Sequence, residues 1–325
     1  MNGKYAVELS NVGSYCDRYM TDGYNDDYSV DQLFERVASV EHVSGVELVG
    51  NWHVSEKNID SVKAHLKSTG LEMVSIIPDH FASRHWGKGS FASTDKEIRR
   101  LAIDETKLMM DFVVELGGDM ITLWPGQDGY DYIFTSDYLQ ERDWLGEGIE
   151  ECCRYRKDVK ISIEYKLKEP RMRCYITNVG TAMLLVQEVN EPNCGITLDF
   201  GHSLAALENP AEVVAILKKY GDKLFHVHVN DNYGLWDDDM ITGMVHPHEY
   251  IEFLYWLKRT GYDGWFSFDQ YTYREDGREA LQEGVYWLDK MISVANEISD
   301  EKVNELFASG RAVDVSKMLR DIVFK

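Results

Sequence analysis

Two kinds of hydrophobic pattern alternate along the chain. Short runs of apolar and β-branched residues, typical of buried strands, are separated by longer segments whose apolar positions repeat about every 3.6 residues, as on one face of a helix. Eight candidate strands lie at residues 5–11, 45–51, 71–79, 120–126, 160–166, 194–202, 224–231 and 265–271. Examples of the helical segments are residues 30–40, 98–116, 181–189, 211–220 and 249–261. Several are followed by a glycine suited to a left-handed helix end, namely Gly70, Gly117, Gly221 and Gly261.

The alternation predicts an α/β fold, a (β/α)8 TIM barrel with a C-terminal helical extension. Continuously apolar strands indicate a parallel sheet covered by helices, and eight strand–helix units in about 290 residues are typical of this barrel. The alternative is an open doubly wound sheet, which needs a glycine-rich phosphate loop after its first strand; NVGSYC is not such a loop. We therefore expect a barrel over residues 1–296 and one or two amphipathic helices over 297–325, packed outside the barrel or on a neighbouring subunit.

Composition and charge indicate which classes of binding partner are unlikely. The chain has 325 residues, of which 44% are hydrophobic, so it can bury a large core. Its 56 acidic and 34 basic residues give a formal charge of −22, which argues against nucleic-acid or anionic membrane partners. Five cysteines without C-x-x-C spacing, the lack of a signal-peptide pattern and the lack of a long apolar run predict a cytoplasmic protein with reduced thiols.

Ionisable side chains end four consecutive candidate strands. The fifth strand ends at Glu164, the sixth at Asp199, the seventh contains His226 and His228, and the eighth ends at Asp269. In a TIM barrel these carboxyl ends meet at the rim that carries the active site. One such residue is usually an ordinary polar group beside a loop. Several carboxylates buried side by side are costly without a cation, so the four together predict a divalent metal site.

The donor types indicate which metal. His228 is nearer the rim than His226, so His228 is the better ligand, and His226 is expected to be a buried residue with a hydrogen-bond partner. Three carboxylates and one imidazole (Glu164, Asp199, Asp269 and His228) suit Mn²⁺ first, with Mg²⁺, Co²⁺ or Zn²⁺ as alternatives. His202, Asp237 and Asp239 could hold a second ion. The alternative for residues 236–239 is an exposed acidic loop.

These motifs, taken in order, resemble L-rhamnose isomerase, and in particular its bacterial branch with broad sugar specificity. The matching stretches are Glu164-Tyr165-Lys166 with Glu169-Pro170, Asp199-Phe200-Gly201-His202, His228-x-Asn230-Asp231 with Asp237-x-Asp239, and Asp269-Gln270. The resemblance covers roughly residues 70–296. The wider group includes xylose isomerase and D-tagatose 3-epimerase, which are metal-dependent barrels acting on free sugars. One departure is that the spacing from His228 to Asp237 is one residue longer than in the family.

The resemblance implies roles for these residues. Glu164, Asp199, His228 and Asp269 would hold a structural metal, and His202, Asp237 and Asp239 a catalytic metal with a bound water. Lys166 would bind a sugar hydroxyl or stabilise charge near C1 and C2, and the catalytic residues would be Glu164, Lys166, Asp269 and His202. The expected substrate-binding residues are Lys166 and His202, with His53, His80 and Trp124, at the ends of strands two to four, as further candidates. A homodimer or homotetramer is also implied.

We therefore expect a metal-dependent aldose–ketose isomerase that acts on a free pentose, hexose or deoxyhexose. One alternative is a ketose 3-epimerase of the D-tagatose 3-epimerase type, which needs one metal and usually lacks the Asp237-x-Asp239 motif. A metal-dependent DNA-repair endonuclease on the same barrel is disfavoured by the charge of −22. A non-catalytic sugar- or metal-binding barrel is disfavoured by Lys166 and by the presence of both ligand sets.

Overall fold

Eight parallel strands close into a barrel in the computed structural model, which describes residues 1–324. The strands are β1 (Tyr5–Glu8), β2 (Val43–Val49), β3 (Glu72–Ile77), β4 (Met120–Leu123), β5 (Lys160–Glu164), β6 (Cys194–Asp199), β7 (Leu224–Val229) and β8 (Phe266–Phe268). Each strand pairs with the next one along the chain, and β8 closes the ring on β1. The TIM barrel prediction is confirmed, and the open-sheet alternative is wrong.

Helices connect the strands and cover the barrel. They are α1 (Val30–Ala38), α2 (Ile59–Thr69), α3 (Lys96–Glu115), α4 (Gln140–Tyr155), α5 (Val179–Val189), α6 (Phe200–Ala205), α7 (Pro210–Lys219), α8 (Pro247–Thr260), α9 (Gly277–Glu297), α10 (Asp300–Ser309) and α11 (Ala312–Val323). The sequence of α1 explains why this segment is helical. Ser29 and Gln32 form a capping box at its start, and Leu33, Phe34 and Val37 place a buried apolar stripe against the core.

Several strands end earlier than the hydrophobic runs predict, because a polar side chain turns the backbone out of the sheet. The run over 194–202 stops being a strand at Asp199, whose carboxylate accepts a hydrogen bond from the His202 amide at 2.7 Å and caps α6. The run over 5–11 ends at Glu8, whose carboxylate accepts from the Ser10 amide at 3.1 Å. These turns place ionisable side chains at the rim of the barrel.

Glycines end two of the helices as expected. Gly70 follows α2 with φ 74° and Gly261 follows α8 with φ 80°, and the amide of each donates back into the last turn. A residue with a Cβ would be strained in this left-handed conformation. The predicted C-caps at these two glycines are confirmed.

A layer of polar side chains fills the barrel interior below the rim. Its fully or almost fully buried members are Glu47, Ser75, Thr122, Ser162, Thr197, His226 and Ser267. Four of them stand two residues before the four predicted metal ligands. Because side chains alternate along a strand, residues two apart share the inner face of the barrel. The layer of predicted metal ligands therefore rests on a layer of polar side chains, and not on the bulky aliphatic packing common in such barrels.

The last two helices follow the barrel as an extension. Val303 of α10 belongs to the main hydrophobic core, and the Tyr255 hydroxyl of α8 donates to Asp300 at 2.7 Å. Residues of α11 pack on the core only partly, through Met318 and Ile322 among others. The prediction of one or two helices is confirmed, whereas the domain boundary at 297 and the contact with a neighbouring subunit stay predictions. Within residues 1–324, no helix is long and apolar enough to cross a membrane.

Candidate metal centre

Four side chains at the ends of neighbouring strands converge on one point. Glu164 ends β5, Asp199 ends β6, His228 lies in β7, and Asp269 follows β8. One donor atom from each lies within 4.8 Å of the donor atoms of the other three. The first three side chains are buried, and that of Asp269 is 18% exposed. The structure thus brings together the four residues grouped from the sequence, in a geometry that could hold one ion.

The two nitrogens of His228 face different groups. Its Nδ1 lies 3.2 Å from Glu164 Oε1 and 3.4 Å from Asp269 Oδ2. Its Nε2 lies 3.4 Å from Oε2 of Glu47, on the opposite side of the ring. The other oxygen of Glu47 is 2.5 Å from His226 Nε2. His226 is therefore a buried, hydrogen-bonded residue, as expected.

A second group of side chains adjoins the first. His202 Nε2 lies 2.9 Å from Asp237 Oδ2, and its Nδ1 lies 3.3 Å from Glu164 Oε1, so this imidazole stands between the two groups. Lys166 Nζ lies 2.6 Å from the same Asp237 oxygen and 2.7 Å from Glu169 Oε2. The Asp237 side chain is only 5% exposed. Residues 236–239 are therefore not simply a solvated acidic loop.

Burial of so many carboxylates perturbs their protonation. Burial, reinforced by the charges of Asp237, Glu164 and Asp269 and only partly opposed by His202, raises the pKa of Asp199 to about 7. Burial and the charge of Asp237 also raise the pKa of Asp239 well above its usual range. The chain's own positive charges are thus too few to keep every carboxylate ionised at neutral pH.

A divalent cation suits this arrangement. Oxygen donors with one imidazole in each group match Mn²⁺, Mg²⁺ or Co²⁺. Asp237 Oδ1 is buried and, within the part of the chain that the structure describes, has no hydrogen-bond partner. A bound cation would both satisfy that oxygen and allow Asp199 and Asp239 to ionise.

A cavity of about 600 Å³ opens above these residues, a volume typical of small-molecule sites. Its polar wall comes from β5–β8 and the loops that follow them, and consists of Glu164, Lys166, His202, Asp237, Asp239 and Asp269. The opposite wall comes from β2–β4 and their loops, and consists of apolar and aromatic side chains: Val49, Trp52, Ile77, Phe81 and Trp124. Trp124 thus lines the cavity, and its contact with substrate stays a prediction.

The other two histidine candidates are placed differently. His80 is fully buried against Trp86 and Phe91, outside the set of described residues that line the cavity, and burial lowers its pKa to about 3. The turn after β3 directs its ring into the core, so its position does not support contact with substrate. His53 is also buried. Its Nε2 lies 3.2 Å from the hydroxyl of Ser10, which does line the cavity.

Sequence reasoning missed other residues around the site. Glu47 is a single acid within an apolar strand, and that interruption was the signal available. Tyr15 and Tyr271 line the cavity from the loops after β1 and β8, and their rings meet edge to face with centroids 4.9 Å apart. Aromatic residues in loops carry no periodic signal, so these two could not be found from the pattern.

Known proteins resemble this chain in sequence. The family model described as Xylose isomerase-like TIM barrel matches residues 34–291. The xylose isomerase of Thermus thermophilus is 27% identical over 225 residues, which cover 67% of this chain and 58% of that enzyme. The chain therefore spans less than two thirds of that relative's length.

Solved structures share the fold. A D-tagatose 3-epimerase-like protein superposes with a TM-score of 0.70 at 24% identity, covering 90% of this chain and 98% of that one. A D-psicose 3-epimerase of Clostridium cellulolyticum, solved with D-tagatose, gives 0.68 at 14% identity, covering 89% and 99%. The wider group inferred from the motifs is supported, and the L-rhamnose isomerase branch stays a prediction. Since the family model matches well over half of the chain, the chain belongs to the Xylose isomerase-like TIM barrel family.

Proposed function

We propose that the chain is a metal-dependent aldose–ketose isomerase of free monosaccharides, of the L-rhamnose isomerase type. The observation that carries the proposal is the buried Asp237, held by Lys166 and His202 beside the four-residue set. This arrangement supplies donors for a second ion, which a one-metal ketose 3-epimerase does not need. Glu164, Asp199, His228 and Asp269 would hold one ion, and His202, Asp237 and Asp239 the other.

The reaction moves a hydrogen between C1 and C2 of the sugar and a proton between O1 and O2. Divalent ions, when bound, polarise the carbonyl and lower the pKa of the neighbouring hydroxyl. Lys166 contributes a fixed positive charge on the polar wall of the cavity, beside Asp237. It would bind a substrate oxygen and stabilise negative charge that develops there.

Two carboxylates would flank the reacting carbons. Glu164 and Asp269 both line the cavity, and each has an oxygen within 3.4 Å of His228 Nδ1. Side chains so placed can remove a proton from carbon and return it to the adjacent carbon. The aromatic wall opposite, which includes Trp52 and Trp124, would cover the apolar face of the sugar and exclude water.

The Glu164–Asp269 pair also supports the second candidate, a ketose 3-epimerase. In that reaction one carboxylate removes the proton at C3 and another returns it on the opposite face. The two proposals share a cavity and one ion site, and they differ in the product and in the need for the second ion.

The test is a substrate screen. Protein treated with chelator and reloaded with Mn²⁺, and separately with Mg²⁺, Co²⁺ or Zn²⁺, is incubated with pentoses, hexoses and deoxyhexoses as aldoses and as ketoses. An isomerase converts aldose to ketose, whereas an epimerase gives a second ketose and, in D2O, incorporates deuterium at C3. Protein that binds metal but converts none of these sugars would contradict both proposals.

A further inference from the structure

Glu47 is a carboxylate buried in the barrel beneath the ion site. It lies in β2, on the opposite side of the barrel from β6, and its side chain is inaccessible to solvent. Its Oε1 lies 2.5 Å from His226 Nε2, and its Oε2 lies 3.4 Å from His228 Nε2. The Ser75 hydroxyl donates to Oε2 at 2.6 Å. Every one of these neighbours can donate a hydrogen bond to a carboxylate.

An ion bound at Nδ1 would fix the tautomer of His228. Carboxylates face both nitrogens of the ring, so these contacts alone select neither. Nδ1 faces the ion site, however, and an ion bound there would need its lone pair, which leaves the proton on Nε2, 3.4 Å from Glu47 Oε2. With the proton on Nε2, the lone pair of the neutral ring is on Nδ1. Nδ1 is the nitrogen that lies 3.2 Å from Glu164 Oε1 and 3.4 Å from Asp269 Oδ2. The Glu47 contact therefore stabilises the tautomer whose lone pair is directed at the ion site.

We propose that Glu47 is a positioning residue that holds His228 with Nε2 protonated and Nδ1 presented to the metal. Glu47 itself touches neither substrate nor ion. The inference rests on the proposed ion site, of which His228 is a member.

The same three residues could instead be a separate ion site, since donor atoms of Glu47, His226 and His228 lie within 4.8 Å of one another. The contacts disfavour it. Oε2 of Glu47 already accepts from Ser75, and Oε1 is in contact with His226. A further ion would have to displace these contacts. It would also use Nε2 of His228, which would then have no proton to donate to Glu47.

The substitution Glu47→Gln tests the proposal with almost no change of shape. The two imidazoles contact different oxygens of Glu47, and glutamine replaces one of these oxygens by an NH2 donor, so it cannot accept from both rings in the present geometry. We expect Mn²⁺ affinity at the first site to fall by about 10- to 100-fold, the usual effect of losing a partner that orients a ligating histidine. Affinity is measured by titration against a competing chelator, and the ion count by elemental analysis.

The matched control is Ser162→Ala. Ser162 is fully buried in the same layer and bonds Thr197 at 2.6 Å, without contact to Glu47. It should lower thermal stability as Glu47→Gln does, yet leave Mn²⁺ affinity within about twofold of wild type. If Glu47 acted only through packing, the two variants would have the same Mn²⁺ affinity.

A second measurement needs no variant. Long-range ¹H–¹⁵N spectra of the wild-type protein loaded with diamagnetic Mg²⁺ should show His228 protonated at Nε2 and not at Nδ1. A proton on Nδ1, an unchanged affinity in Glu47→Gln, or an additional ion bound by Glu47 would each overturn the inference. If wild-type protein bound no ion and converted no sugar, the proposed function would fail instead, and the two failures are therefore distinguishable.

Discussion

Single residues set the charge balance of the candidate site, and Lys166 is the clearest case. Burial alone would lower its pKa, but the charges of Asp237, Glu169 and Asp239 outweigh burial and hold that pKa well above its ordinary value. The side chain is 11% exposed, and its Nζ also lies 5.2 Å from the Trp124 ring. Lys166 is therefore a fixed cation between the acidic and aromatic walls.

Replacing Lys166 by methionine keeps the length of the side chain and removes the charge. We expect kcat to fall by about 100-fold or more, as when a positioned electrostatic stabiliser is lost, while sugar binding stays measurable. Steady-state turnover and equilibrium sugar binding separate the two effects. Lys168→Met is the control, because Lys168 Nζ lies over the Trp236 ring at 5.1 Å and should not affect kcat. A Lys166→Met protein with kcat within tenfold of wild type would refute this role.

The sequence predicted contacts between side chains only where the residues occupy equivalent positions on neighbouring strands. Glu164, Asp199, His228 and Asp269 could be grouped because each stands at or near the end of a strand and consecutive parallel strands are adjacent. Glu47 could not be linked to His226, from which it is separated by 179 positions across the barrel. Its partner is determined by barrel closure, which no local periodicity encodes.

Among the elements, the loop between β7 and α8 is the one that decides between the two proposed reactions. Asp231, at the start of this loop, is hydrogen-bonded to residues at its end. The Asp231 carboxylate accepts from the Val245 amide at 2.8 Å and from the His246 amide at 3.0 Å. Asp237 lies inside this closed loop, where its Oδ2 is 2.9 Å from His202 Nε2. The Asp237-x-Asp239 motif could be found in the sequence. The path of the loop could not, because it depends on these long-range hydrogen bonds.

The loop gives a prediction about the number of ions. Wild-type protein should bind two Mn²⁺ per chain, and Asp237→Asn should bind one, because a neutral amide is a poor ligand for a second divalent ion. The matched control is Asp238→Asn, in which the replaced carboxylate accepts from the Tyr233 amide at 3.0 Å; this variant should keep two ions. Metal-to-protein ratios after gel filtration provide the measurement. Two ions retained in Asp237→Asn would remove Asp237 from the ligand set.

The C-terminal helices give a second prediction at this scale. Val303 and Leu306 of α10 are buried, whereas α11 has no fully buried residue among those described. Ending the chain after Gly310 should therefore change the free energy of unfolding little, and ending it after Ile298 should lower it by about 3–5 kcal/mol through lost apolar burial. Urea denaturation of the two truncated chains measures the difference. Equal losses in the two chains would show that α10 adds nothing to the stability beyond α11, contrary to this expectation.

For the molecule as a whole, buried acids couple ion binding to stability. The formal charge is −22, and burial raises the pKa of Glu8, on β1, to about 7, despite hydrogen bonds from Ser10 and Tyr271. Asp199, on β6, has a pKa of about 7 for the reasons given above. Without a cation, the folded chain retains protons on these groups that the unfolded chain has already released near pH 4.

The sign of the resulting pH dependence follows from proton counting. Between about pH 5 and 7 the folded, ion-free chain binds more protons than the unfolded chain, so its free energy of unfolding falls as pH rises. The raised pKa values of His202 and His228, which the charges of nearby carboxylates hold up against burial, act in the same direction above about pH 6.5. Carboxylates with lowered pKa values, such as Glu164, titrate below this window. His53 and His80, whose pKa values burial lowers to about 4 and about 3, act in the opposite direction, because only the unfolded chain protonates them near pH 5–6.5, but the groups with raised pKa values outnumber them.

We therefore expect ion-free protein to lose at least about 2 kcal/mol of its free energy of unfolding between pH 5 and pH 8, since one pKa unit corresponds to about 1.4 kcal/mol. Protein with Mn²⁺ bound should lose less, because the cation takes over the role of the retained protons. Urea denaturation at four pH values, with and without Mn²⁺, tests both statements. The Asp199→Asn variant should flatten the ion-free profile, because it removes one of the groups that retain a proton. Ion-free stability that rises from pH 5 to pH 8 would show that the buried carboxylates are already compensated by the chain's own charges.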